Sequence, residues 1–185
     1  MAYLITVALY HRDQFSRGDS RRIFGHEAYH WGFVITPPLE ATSQGPSPSP
    51  SLDSSFDATD TAEIDPVTFR MNNPTMDWWL RAEERIDSEA NPKLLGRVVV
   101  GKIPEEDGSM PDAAELRAFF GAVPLPVKNT HPQQSCVTWI MDAIRALQRR
   151  GWVEEFDIEQ FKDWALRYAD ERLRGSGSKM IYYTP

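Results

Sequence analysis

The apolar residues of this chain come in two rhythms, and their order decides the fold class. Runs that suit β-strands come first, and stripes that suit helices come last. "YLITVALY" (3–10) is β-branched and nearly all apolar, as a buried strand requires. "YHWGFVIT" (29–36) is a second such run, closed by Pro37 and Pro38. "SFDATD" (55–60) alternates as a third, "PVTFRMNNP" (66–74) is a candidate fourth, and "KLLGRVVVGKI" (93–103) is a clear strand around Val98–Val100. "MDWWLRAEERIDSE" (76–89) fits either a helix or a strand followed by an acidic loop, and "HRDQFSRGDSRRIFGHEA" (11–28) reads as a polar connection.

The helical signals follow. "PDAAELRAFFGAV" is a short helix with Asp112 and Glu115 as a capping box and Gly121 at its end. The next helix has Ser135 as N-cap and Gly151 as stop, with Cys136, Ile140, Ala143, Ile144 and Leu147 on one face. A last helix is expected from about Asp157, with Gln160 completing a capping box, to about Arg174; Phe161, Trp164, Ala165 and Tyr168 form its buried stripe. Strands followed by helices predict an α+β fold, a mostly antiparallel sheet packed against helices. We expect one domain over residues 1–174, with a mobile Pro/Ser-rich insertion at about 37–54. Residues 175–185 follow as a C-terminal tail, a flexible joint leading to a late strand or a docked end.

Composition narrows the function classes. The net charge is −7 and the cations are scattered among acids, which argues against a nucleic-acid partner. One cysteine excludes an intrachain disulfide and a thiolate zinc site, and it points to a reducing, cytoplasmic setting. The first apolar run has no basic region before it, so it reads as a strand and not a signal peptide. No run reaches the ~18 apolar residues that suggest a membrane span. Metal-loop, metal-helix and phosphate-loop motifs are missing, and no cofactor is expected.

The lone cysteine is the most informative single residue. Cys136 falls in the first turn of its helix, where free N–H groups and the positive end of the macrodipole favour an anion. The same groups suit an oxyanion forming on an attacked carbonyl. Its place on the apolar face equally suits a small buried hydrophobe. A nucleophile needs a base, and of the four histidines His30 stands out as polar within an apolar strand. His11 and His26 sit near polar turns, and His131 lies in the loop before Cys136. Asp57 on the next strand can orient His30 if the two strands are neighbours. Asp53 and Asp60 read as turn or strand-end residues.

"YHWGFVI" followed much later by "SCVTWIMDAI" resembles the circularly permuted papain-like proteins, which include lecithin retinol acyltransferase-type enzymes and permuted NlpC-type hydrolases. With "FDATD" and "GRVVVGKIPEEDG", the chain also resembles a set of small fungal proteins over roughly residues 3–152. The resemblance implies a permuted papain-like fold, with Cys136 as nucleophile, His30 as its base and Asp57 as the third polar residue. Asp57 stands where the acyltransferase group usually has a histidine, and "QSC" where that group has an Asn-Cys pair. The function expected is a thiol hydrolase or an acyl or peptidyl transferase acting on a small-molecule or peptide-like amide, ester or thioester. The alternative is a small-molecule binder or biosynthetic cyclase on the same fold, with Trp31, Trp78, Trp79 and Trp139 suited to an apolar ligand.

Overall fold

Alternating apolar residues build one large sheet. The computed structural model describes residues 2–38, 52–105 and 111–185. In chain order the strands are β1 (Ala2–His11), β2 (Tyr29–Thr36), β3 (Asp53–Thr59), β4 (Glu63–Ile64), β5 (Met71–Asn72), β6 (Trp79–Ile86), β7 (Leu94–Pro104) and β8 (Met180–Tyr182). Six of them form a sheet in the order β6-β3-β2-β1-β7-β8, while β4 and β5 make a separate ribbon. Each pairing in the large sheet is antiparallel except β7 with β8. The helices are α1 (Gly18–Phe24), α2 (Ala113–Gly121), α3 (Cys136–Arg150) and α4 (Ile158–Leu173). The chain is α+β, as its two rhythms predict.

Period-2 alternation decides what each sheet face carries. Ile5, Val7 and Leu9 of β1, Trp31, Phe33 and Ile35 of β2, and Phe56 and Ala58 of β3 enter the main core. Ile140, Ala143, Ile144 and Leu147 of α3 and Phe161 and Ala165 of α4 meet them there. Phe120 of α2 stacks on Phe56 with ring centroids 4.5 Å apart. The intervening residues lie on the opposite face: Thr6, Ala8 and Tyr10 of β1, His30, Gly32 and Val34 of β2, and Ser55 and Asp57 of β3. That face carries the polar groups of the cleft beside a small apolar cluster of Ala8, Val34 and Leu94.

Several local expectations change. The insertion expected at about 37–54 falls mainly on residues 39–51, outside the described residues, but Asp53 and Ser54 already belong to β3. The connection 11–28 is not plain loop: two 3-10 turns, Asp13–Ser16 and Gly25–Ala28, flank α1. None of the α1 residues is buried, so it has no apolar stripe to reveal it; Arg21 pins it through a two-pronged bond to Asp170 on α4. In the candidate fourth strand only Met71–Asn72 pairs, because the Asp65 carboxylate accepts from the N–H groups of Val67 and Thr68 and folds a turn. The 76–89 stretch resolves as β6, paired to β3. Asp112 and Glu115 form their capping box, while Asp157 accepts from the Gln160 N–H and only that half of the second box is made.

Candidate active site

Cys136 opens α3 because Ser135 is built to start it. Ser135 is extended, and its hydroxyl accepts from the Val137 and Thr138 amides. Thr138 Oγ1 in turn accepts from the Ser135 N–H at 3.1 Å. Gly151 ends the helix in the left-handed conformation with φ 79°. The cap consumes two of the first-turn donors, and among the described contacts the Cys136 amide has no acceptor. Cys136 is buried and lines a cleft of about 1060 Å³.

His30 meets Cys136 from the sheet. Its Nε2 lies 2.8 Å from Asp57 Oδ2, and the Cys136 sulfur is near enough to act on the ring's charge. With Nε2 held by the carboxylate, Nδ1 is the nitrogen left for the sulfur. Burial works against a charged ring here. The sulfur of Cys136 and the carboxylate of Asp57 outweigh it and raise His30 to about 10. Gly32 makes the reach between strands close: a Cβ there would lie 3.1 Å from Asp57 Cβ and 3.4 Å from the Phe56 carbonyl oxygen.

Two further residues belong to the constellation. Arg81, opposite Asp57 in the β3–β6 register, donates through Nε (3.1 Å) and Nη2 (3.0 Å) to the two Asp57 oxygens, and through Nη1 to Glu63 on β4. Burial alone would raise the Asp57 carboxyl; the hydrogen bond and charge of His30, then Arg81, hold it below its ordinary value. Tyr10, opposite His30 in the β1–β2 register, places its ring centroid 6.0 Å from the imidazole. Burial, then the Asp57 charge, pushes its phenol well above the ordinary range.

The structure places His30 against Asp57 and has Cys136 line the same cleft. Asp60 also lines the cleft but makes no contact with His30 among the described residues, and Asp53 is buried against Ser88 and Arg97. His131 is exposed and outside the cleft, while His26 pairs with Asp163 at 2.8 Å. Of the four tryptophans suited to an apolar ligand, Trp31 and Trp139 are core, and Trp78 lines the cleft. Arg81 and Tyr10 escape sequence reading. The alternation of Arg81 with Ala82 in a strand is the signal that finds the first, once β6 is taken as a strand.

Fold and site define an α+β protein whose helix-opening cysteine faces a histidine held by a buried, arginine-bound aspartate. Over residues 3–176 the chain matches the profile of the family described as a family of unknown function, DUF6914, and it belongs to that family. No curated protein and no solved structure matches it. Among the described residues no helix is long and apolar enough to cross a membrane.

Proposed function

We propose that Cys136 is a thiol nucleophile served by His30 and Asp57, on a scaffold of the permuted papain-like kind. The observation that supports this reading is the position of His30, hydrogen-bonded to Asp57 at 2.8 Å in the cleft that Cys136 also lines, near enough for the sulfur to act on its charge. In this reading the sulfur attacks the carbonyl carbon of an amide, ester or thioester, and the Cys136 amide donates to the oxygen as it becomes anionic. His30 then passes a proton to the leaving amine, alcohol or thiol, and a thioester on Cys136 remains. Water or an amine next attacks that thioester, His30 takes the proton of the attacker, and the acyl group leaves as the thiol is restored. The substrate is small or peptide-like, and a free unpaired thiol suits a reducing compartment such as the cytoplasm.

Alkylation by iodoacetamide tests the reading on the single cysteine. At neutral pH Cys136 should react faster than free cysteine, and His30→Ala should slow it about a hundredfold. Equal rates in the two proteins would remove the basis for a catalytic pair.

A further inference from the structure

The cleft extends past Asp57 along the same face of β3 and β6. Ser55 lies two residues before Asp57, about 7 Å along the strand at the rise of a β-strand. It is 6% exposed, lines the cleft, and its hydroxyl has no hydrogen-bond partner among the described residues. The residue is largely enclosed while its hydroxyl is open to the cleft, so that hydroxyl is available to a ligand. Glu83 stands directly opposite Ser55 in the register and also lines the cleft. Its carboxylate makes no ion pair among the described residues.

The charges around the cleft point to the sign of that ligand. Arg81 is paired with Asp57 and Glu63, Lys93 with Asp13 at 3.2 Å and the His30 ring with Asp57, while Arg12 donates to the neutral Glu27 carbonyl at 2.7 Å and keeps its charge; six acids line the cleft against these four cations. Glu83 is not committed, and neither is Asp60. Tyr10 leans over Gly32 beside Asp57, its Cε2 3.8 Å from where a Gly32 Cβ would lie, and its phenol, which burial keeps as a neutral hydroxyl, lines the same cleft. A hydroxyl, a free carboxylate and a phenol are acceptors matched to the three donors of an ammonium group. A focused negative potential beside them favours a cation.

We propose that Ser55, Glu83 and Tyr10 form a subsite for a primary ammonium group. Resting on the thiol reading above, this makes the substrate an amine-bearing acyl compound, with its cationic group held along β3 from the carbonyl that Cys136 attacks. The binding itself does not require the thiol.

The test uses isotope-labelled Cys136→Ala protein titrated with n-butylammonium, n-butanol and butyrate, read by amide NMR shifts. Butylammonium should give saturable shifts at Ser55, Glu83 and Tyr10, with an affinity about tenfold above that of butanol, and butyrate should give none there. Glu83→Gln, a change at an exposed position, should remove the preference, and Ser55→Ala should weaken it severalfold. Equal shifts with butanol and butylammonium, shifts confined to other residues, or a preference that survives Glu83→Gln would overturn the proposal. Because this protein carries no thiol, the result stands apart from alkylation. Unreactive Cys136 in the wild type with intact butylammonium binding would end the thiol reading and keep the ammonium site.

Discussion

His30 is bound by Asp57 and feels the Cys136 sulfur, and each influence can be removed alone. Cys136→Ala removes the largest influence that raises His30 above its buried state, so the ring should titrate well below the value of about 10 it has in the intact site. An NMR titration of the His30 ring measures this, and an unchanged midpoint would show that the sulfur does not bear on it. The same raised value fixes a sign. The stability His30 contributes is complete below its ordinary value near 6.5 and is lost as pH rises through about 10. Thermal melts between pH 7 and pH 10 should therefore fall, and less steeply in Asp57→Asn. Asp57→Asn should also slow alkylation of Cys136 near neutral pH, whereas Asp60→Asn should not. Gly32→Ala forces Asp57 or the Phe56 carbonyl to yield, and should cost about 1–3 kcal/mol in denaturant unfolding with a slower alkylation. Cys136 and His30 were legible because each breaks its local pattern, a thiol at a helix start and an imidazole in an apolar strand. Arg81 was not, because its meaning lies in a cross-strand partner 24 residues away, which only the register reveals.

At the scale of elements, the first turn of α3 carries both the cap and the cysteine. Ser135→Ala should cost about 1 kcal/mol of stability, since it leaves the Val137 and Thr138 amides unpaired. A stability unchanged within error would mean that water serves the turn as well as the hydroxyl. Helices α3 and α4 were legible because stripe, cap and stop agree over about four turns each. α1 and its flanking 3-10 turns were not, because they are fixed by single long-range bonds such as Arg21 to Asp170 and Ser16 to the Ala28 carbonyl, which leave no period. β6 was ambiguous because its residues are at most half-buried, and an edge strand needs no clean alternation.

In the whole molecule the last strand closes the sheet from the far end of the chain. β8 runs parallel to β7, and Tyr183 just beyond it packs on Phe156, Phe161 and Trp164 with centroids 4.9–5.2 Å apart. Tyr168 of α4 donates to the carbonyls of Ser178 and Lys179, which locks the tail to the helix layer. Removing residues 179–185 should lower the melting temperature by about 5 °C or more, since aromatic pairs contribute about 0.5–1.5 kcal/mol each beyond their buried area. A truncated protein that melts like the full chain would mean that the tail only rests on the sheet. The sequence left a late strand and a docked tail both open, and the structure has both, because Met180–Tyr182 pairs while Tyr183 docks. At the opposite margin β6 has no neighbouring strand outside it among the described residues. There the exposed run Glu83, Glu84 and Arg85 presents charge, Arg85 takes a left-handed φ of 56°, the register to β3 shifts near Asp53, and Arg117 of α2 donates to the Ala82 carbonyl. A second copy of the chain meets a charged and kinked border at that margin, which disfavours the addition of a further strand there and leaves β8 as the edge where growth would have to begin.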